Sequence, residues 1–594
     1  MEKLKRKMKP SEERVWEKWY PEEAKKIDFP KMMIYDLVYE QNKGRKDDIA
    51  LEYEGNSIRF GEFFDAVDEK TEYFASKGIN QSSIVTMSML MTPEFAYDWY
   101  SLSRLGALSN LVDPRTSIFG LKKYLEEAGS THILSTGLFG PKFIRAMGKD
   151  GDYRLINYSL SESAEKMPLI LGTIDKTIGL TNKIIANFDS RVENYDGGKL
   201  DLSHSEIYLP NYVEKMPLSI VHTGGTTNTP KGTLSSHDNY NAMAWEYLKS
   251  DIGFMPDDRF LLVMPGWIGY GSGMLHMSLV RGMRATMISK LESKKMGNYL
   301  LKYKPQWLAG VPAHLRIIKD SRVLRDADLS FLKGMAVGGD STSAELFEEA
   351  NDFLMEHGAK KGVFPGYAST EITAAGAVRQ KEKYVPGSVG IPLPGCVVGI
   401  FKYDEETEKT LDEELDYNQE GEICWQTPNQ MLGYFKDDVK TSEVIRTHSD
   451  GRVWLHTGDL GHINDDGILF VDGRIKDLIT RHDGFKVYPH LIEELINACK
   501  GVTNCKVVGV SDVRHIANGE ENGQVPMAFI SIENDTQKER REVLKKVISV
   551  CKSTLPSYYV DGLTFEFIDS MPRTPVGKIS SNDLRVEAKK RIKI

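Results

Sequence analysis

The feature that most constrains the fold is an apolar run, PLSIV at 217–221, that passes directly into HTGGTTNTPKG at 222–232. A short apolar run bounded by Gly and Pro reads as a buried strand. Ala242, Trp245, Leu248 and Ile252 then recur at helical spacing behind candidate caps at Ser235 and Ser236. Strand, Gly-rich loop and helix together form the setting in which backbone N–H groups cradle an anion. The loop departs from the strict Walker pattern, which places Gly before the lysine, because Pro230 precedes Lys231. Its residues still suit an anion. Gly224 and Gly225 allow close backbone approach, Thr223, Thr226, Thr227 and Thr229 offer hydroxyls, and Lys231 adds charge. From these residues alone, a mobile turn remains the alternative.

The same alternation continues along the chain. Strands are expected near 260–264 and 335–337, with a helix over 343–357. The pattern predicts an α/β fold: a large N-terminal domain of mostly parallel sheets packed with helices, including a distorted β-barrel-like part, followed by a small mobile α+β C-terminal domain. The expected domains are 1–473 and 474–594. In the second, Leu491, Ile492, Leu495, Ile496 and Cys499 mark one helix face, Val543, Leu544, Val547, Ile548 and Cys551 mark another, and CKVVGV and VPMAFISIE read as strands. The acidic stretch at 403–420 is expected to be a solvated hairpin tip or loop.

With 594 residues the chain is too long for one core. Its net charge of −9 is spread without a basic block, which excludes nucleic acid as the main partner. The five cysteines have no CxxC pair and no neighbouring histidine, so they are expected to be reduced, buried thiols. No apolar stretch is long enough to span a membrane, and the charged N-terminus lacks a signal-peptide core, so a soluble cytoplasmic protein is expected.

Three more segments carry chemistry. In GYASTE at 366–371, the Thr370 hydroxyl stands beside the Glu371 carboxylate, a pairing suited to a phosphate oxygen and Mg²⁺, or simply to a capped helix start. In WLHTGDLGHINDDGILFVDGRIKDLI at 454–479, Asp459 follows a Thr-Gly turn and Arg474 follows Gly473. A carboxylate and a guanidinium so placed suit the hydroxyls of a sugar, and 465–467 reads as a hairpin turn. In PRTPVGKIS at 572–580, Lys578 sits on a Pro/Gly-bounded loop from which it could reach a site, though a lone lysine is ordinarily a surface charge.

The order and wording of these blocks resemble the adenylate-forming superfamily of acyl-CoA synthetases, adenylation domains and beetle luciferases, in its acyl-CoA synthetase branch, over about residues 30 to 585. PGSVGIPLPG at 386–395, GEI at 421–423, GYF at 433–435 and VYP at 487–489 add to the likeness. The resemblance implies ATP-dependent activation of a carboxylic acid to an acyl-adenylate, then transfer to coenzyme A. It places Thr223, Gly224, Gly225, Thr226, Thr227 and Lys231 on the β- and γ-phosphates, Thr370 on the α-phosphate, and Glu371 on Mg²⁺. It further places Asp459 and Arg474 on the ribose and Lys578 between the α-phosphate and the substrate carboxylate, with the hinge at Lys476. The acid pocket would comprise Trp267, Ile268, Gly338, Gly339, Tyr367 and Ala368.

Three positions depart from the family pattern. Asn228 replaces a loop glycine, Ile268 replaces the usual aromatic or His after the proline motif, and ITRHDGFKVYP is one residue longer between Ile479 and Gly484. Since 267–275 holds no charge, amino acids should be rejected, and Gly269, Gly271, Ser272 and Gly273 leave room for a fatty or bulky aryl or alicyclic acid unless they serve helix packing instead. Two other functions fit the sequence: an adenylation enzyme loading a phosphopantetheinyl carrier protein, and a non-catalytic nucleotide or acyl-adenylate binder. A homodimer is compatible with any of these.

Overall fold

The computed structural model describes residues 8–148, 151–165, 167, 169–195, 207–223, 231–288, 292–339, 344–379, 385–404, 406–514, 516–517, 520–521, 523–533, 536–573 and 579–591. Two large sheets organise the first 474 residues. The eight-stranded sheet runs, edge to edge, Gly433–Tyr434, Gly232–Ser236, Pro217–His222, Leu108–Leu111, Ile84–Ser88, His132–Thr136, Arg154–Tyr158 and Val192–Asn194. From Pro217–His222 onward its pairings are parallel.

A fifteen-stranded sheet holds a parallel half built from Val363–Tyr367, Gly334–Val337, Trp307–Gly310, Arg259–Leu262, Arg284–Met287 and Ile49–Tyr53. Its other half is antiparallel. Those strands, between Ser388 and Arg474, continue the same sheet beyond Ala377–Val378. The fold is therefore the expected mixed α/β arrangement of parallel-rich sheets followed by a small α+β unit. In that unit Val502–Ser511, Gln524–Ile532 and Thr564–Phe567 form a three-stranded sheet, packed by helices Pro489–Asn497, Gln537–Thr554 and Ser581–Arg591. Its apolar residues form their own clusters.

Local chemistry accounts for these elements. The 403–420 segment is a hairpin, with Val397–Asp404 pairing Lys409–Glu414 and Asp404 opposite Lys409. The turn at 465–467 is likewise a hairpin end, where Gly467 takes φ +81°. Helix His237–Lys249 starts at a capping box in which the Ser236 hydroxyl accepts from Asn239 N and the Asn239 side chain accepts from Ser236 N.

One expectation needs correction. The 222–232 loop does not lead straight into that helix. Gly232–Ser236 first returns as an antiparallel strand against Pro217–His222, so Ser235 lies in a strand and Ser236 alone caps. All five cysteines are buried and unbridged, as expected. No helix among the described residues is long and apolar enough to cross a membrane.

Candidate active site

The hairpin brings the two ends of the Gly/Thr loop together. Thr223 N donates to Lys231 O at 2.8 Å, and Lys231 N donates to the Thr223 hydroxyl at 3.2 Å. Gly224, Gly225, Thr226, Thr227 and the departure at Asn228 lie outside the described residues. His222, at the loop's entrance, is within 2.8 Å of Asn110 Oδ1 through Nε2, and burial lowers its imidazole pKa to about 4. It is therefore neutral at pH 7 and leaves the loop's charge to Lys231.

Lys231 Nζ stands 4.4 Å over the ring of Tyr434, a cation–π contact. Tyr434 reaches this position because Gly433–Tyr434 pairs with the return strand, Tyr434 opposite Thr233. Its hydroxyl donates to Glu371 Oε1 at 2.9 Å. Burial first, and then the Glu371 charge, push the Tyr434 hydroxyl well above its ordinary range, so it remains a donor. Lys231, Tyr434 and Glu371 thus form one row.

Glu371 lies in the 3₁₀ turn Thr370–Ile372, which opens with Thr370 after strand Val363–Tyr367. The turn exits through Thr373 and Ala374, both left-handed at φ 45° and 61°. Such angles are costly for a β-branched residue. Buried Asn429 holds them: its side-chain amide donates to Ile372 O at 2.8 Å and Ala375 O at 2.9 Å, its backbone carbonyl accepts the Thr373 hydroxyl at 2.9 Å, and nearby Met431 N donates to Glu371 O at 2.8 Å.

A second row begins four residues before Glu371. The Tyr367 hydroxyl donates to Asp459 Oδ2 at 2.6 Å, and Asp459 Oδ1 lies 2.8 Å from Arg474 Nε. Asp459 and Arg474 face each other across paired strands. Tyr367 stacks on Trp425 at 5.9 Å, and burial followed by Asp459 keeps its hydroxyl protonated far above the usual range. The Asp459 charge in turn raises the guanidinium pKa of Arg474. Glu422 supports the turn before Asp459, its Oε1 accepting from Gly458 N at 2.7 Å. Gly458 has open space around it but takes φ +70°, so the backbone, not crowding, calls for glycine. The two rows meet on the short segment 367–371, which carries Ala368 and Thr370 between them.

A cleft of about 360 Å³ opens beside Arg474 and Lys476 and reaches Glu422, His456 and Arg446. Sequence spacing left the cysteines without a metal partner, yet Glu422, Cys424 and His456 bring ligand atoms within 4.8 Å of one another. His456 Nδ1 is 2.8 Å from Glu422 Oε2 and 3.3 Å from Cys424 Sγ, and its Nε2 is 2.9 Å from His448 Nε2. The Arg446 guanidinium also contacts His456 Nδ1, and a resident positive charge disfavours a second cation there.

The acid-pocket residues are less open than their glycines suggest. A side chain on Gly271 would lie 2.0 Å from Pro265 O, on Gly273 3.0 Å from Met243, and on Gly338 3.1 Å from Gly366 O. These glycines serve close packing, whereas Gly269 and Gly339 face space, Gly339 with φ +86°. Ser272 is buried and bonded to Tyr240. Ile268 stands at the N-cap of helix Gly269–Arg281 in an extended conformation, with no side-chain capping hydrogen bond. Trp267 is 8% exposed, its indole N–H has no acceptor among the described residues, and the Arg115 guanidinium lies 5.5 Å from its ring. The neutral stretch 267–275 therefore has a cation beside it, itself paired with Asp113 at 2.7 Å. Sequence spacing gave no sign of Arg115.

Lys476 lies in the turn Ile475–Asp477, where burial and then Arg474 lower its pKa. Its neighbour Asp477 pairs with Arg585 on the C-terminal helix at 2.7 Å. Lys578 lies outside the described residues.

Two family models match the chain, the AMP-binding enzyme over residues 38–435 and the AMP-binding enzyme C-terminal domain over 491–578. The chain belongs to the AMP-binding enzyme family. Among curated relatives, this AMP-binding enzyme is 25% identical to the peroxisomal OPC-8:0-CoA ligase 1 of Arabidopsis thaliana, covering 89% of this chain and 88% of that one. It is 23% identical to the long-chain-fatty-acid–CoA ligase of Bacillus subtilis, covering 96% and 97%. Among solved structures it resembles ATP-bound MatB from Rhodopseudomonas palustris, with a TM-score of 0.76 at 20% identity and coverage of 94% and 100%. An anthranilate CoA ligase in complex with anthranoyl-AMP gives a TM-score of 0.76 at 17% identity, covering 95% and 98%. This AMP-binding enzyme thus shares the fold of those solved structures.

Proposed function

We propose that this enzyme joins a carboxylic acid to ATP, releasing pyrophosphate and leaving an acyl-adenylate, and then passes the acyl group to the thiol of coenzyme A with loss of AMP. The observation that carries this reading is the meeting of two rows, Lys231–Tyr434–Glu371 and Tyr367–Asp459–Arg474, on one five-residue segment. The first row suits the polyphosphate end of a nucleotide and the second its ribose. Thr370, between them, would meet the α-phosphate. Asp459 already accepts from Tyr367 and Arg474, yet a carboxylate offers about four lone-pair sites, leaving room for sugar hydroxyls.

Adenylate formation sets an anionic carboxylate against an anionic phosphorus, so the barrier contains a large repulsive term. Lys231, the loop donors and Lys578 would offset it. Glu371 fits a Mg²⁺ site, since it is a half-buried carboxylate with one oxygen held by Tyr434, and hard cations are commonly bound by one or two carboxylates plus substrate phosphates. Bound there, the ion would supply charge neutralisation on the phosphate oxygens. For the second step the C-terminal domain, from 474 onward, would turn about Lys476 and exchange Lys578 for the thiol.

The acid is a fatty or bulky aryl or alicyclic acid. Relatives named for OPC-8:0 and long-chain fatty acids support an apolar acid, and Trp267 and Ile268 would give its pocket apolar walls. A carrier-protein thiol is the second reading, favoured by the longer 480–484 loop, where Arg481 is fastened to Asp483 and Asp561 instead of being offered to a ligand.

The test is ATP/pyrophosphate exchange and thioester formation across a carboxylic-acid panel. Glu371→Gln should lower exchange about 10²-fold or more while the chain folds normally. Lys578→Ala should abolish exchange but spare thioester formation from a supplied acyl-adenylate. Wild-type exchange with every acid absent would sink the adenylation reading, and adenylate formed without any acyl-CoA would sink the coenzyme A step alone.

A further inference from the structure

The helix Leu169–Phe188 presents an inverted surface. Its polar anchors point inward: Asp175 is buried and accepts from Leu160 N at 2.9 Å and the Ser161 hydroxyl at 2.8 Å, and buried Asn182 donates to Gly137 O at 2.9 Å. Four of its large apolar side chains are exposed, Ile174 at 40%, Leu180 at 65%, Ile184 at 59% and Phe188 at 88%, while Ile185 packs against a buried cluster. At about 100° per residue these four fall within an arc of about 120°. Lys176 and Lys183, both exposed, flank that arc on one side. The helix's sole carboxylate is the buried Asp175, so this exposed face is purely basic in a chain of net charge −9.

We propose that this helix docks the enzyme on an anionic lipid surface, lying in the headgroup boundary with the apolar arc inserted and the lysines at the phosphate level. Apolar residues flanked by lysines with no acid are the composition of an interfacial helix, and the helix is not apolar enough to span a bilayer. Charge complementarity selects the partner, because a basic face on an acidic protein favours an anionic surface. The placement also has a use. Asn182 ties the helix to the turn Gly137–Phe139, whose Leu138 is 37% exposed. The helix that follows carries Lys142, which donates to Pro114 O at 3.1 Å, next to Arg115 over Trp267. Phe119, 81% exposed, begins the helix after Arg115. Exposed apolar groups thus lead from the docking helix toward the candidate acid pocket, where a membrane-partitioned acid could be collected. The docking itself does not depend on the proposed reaction.

The experiment is co-sedimentation of the full chain with vesicles of phosphatidylcholine alone or mixed with phosphatidylglycerol, alongside sedimentation velocity of the protein without lipid. The wild type should pellet with the mixed vesicles and much less with the neutral ones. The combined Leu180→Glu, Ile184→Glu and Phe188→Glu variant should lose binding at least about tenfold. Lys176→Glu with Lys183→Glu should lose about tenfold or more and should do so without touching the apolar arc. Both should retain the wild-type melting temperature and ATP/pyrophosphate exchange. Failure of the wild type to bind mixed vesicles, equal binding by both variants, or a protein dimer dissolved by the apolar variant without any lipid binding would overturn the proposal.

Discussion

Tyr367 shows how much of the site depends on single hydrogen bonds. Its hydroxyl reaches a carboxylate that is 5% exposed, and that carboxylate in turn sets Arg474. Tyr367→Phe deletes only the donor. Because hydrogen bonds to charged groups contribute about 1.5–3 kcal/mol, the KM for ATP should rise about tenfold or more, with pyrophosphate exchange at saturating ATP affected less. An unchanged KM would separate Tyr367 from nucleotide binding. Glu371 and Asp459 were legible in the sequence because each sits in a short motif with glycine and threonine, and Arg474 because it follows Gly473 in DGRIKD. Their partners were not. Tyr434 is 63 residues from Glu371, Asn429 is 57 from Ile372, and Glu422 is 36 from Gly458. Only the strand pairing brings these side chains together, and no local spacing encodes it.

At the scale of elements, the turn after Val363–Tyr367 is the informative case. A 3₁₀ turn that leaves through two left-handed non-glycine residues persists only where its surroundings over-determine it. Asn429→Ala would leave Ala375 O without its donor, at about 1–3 kcal/mol, while Ile372 O would keep only the 3.1 Å bond from Ala375 N. The variant should therefore melt several degrees lower and lose exchange activity, and a chemical-denaturation midpoint equal to wild type would contradict the clamp. The element misread from sequence is the return strand Gly232–Ser236. Its GTLSS composition carries one large apolar residue and mimics a loop leading to a cap. Apolar strands such as Arg259–Leu262 and Gln524–Ile532 are readable by contrast, since burial on both faces leaves a continuous apolar signature.

For the molecule as a whole, buried histidines set the acid limit. Burial lowers His222 and His314 to about 4 and His237 and His276 to about 3, against an ordinary value near 6.5. The unfolded chain binds more protons between those values, so each histidine adds up to about 1.4 kcal/mol per pH unit as pH rises from its folded value to 6.5. Asp98 acts oppositely. Burial raises it to about 7, so its stabilising contribution is complete below the ordinary carboxylate range and is lost as pH climbs through 7. Burial raises Glu246 well above the carboxylate range in the same sense as Asp98. Four groups thus stand against two, and the melting temperature should climb from pH 4 to 6.5 and level off near neutrality. A flat profile across that window would contradict the buried neutral state of these rings.

The hydrogen bond between Tyr434 and Glu371 joins the last strand of one large sheet to the turn after a strand of the other. The two sheets keep largely separate sets of strands, and this contact is a latch across their junction. A slide of one sheet past the other by an ångström would part the latch while leaving every strand pairing intact. Moderate heat or pressure should therefore silence the enzyme before either sheet melts, and turnover should be a finer gauge of the junction than any spectroscopic signal of secondary structure.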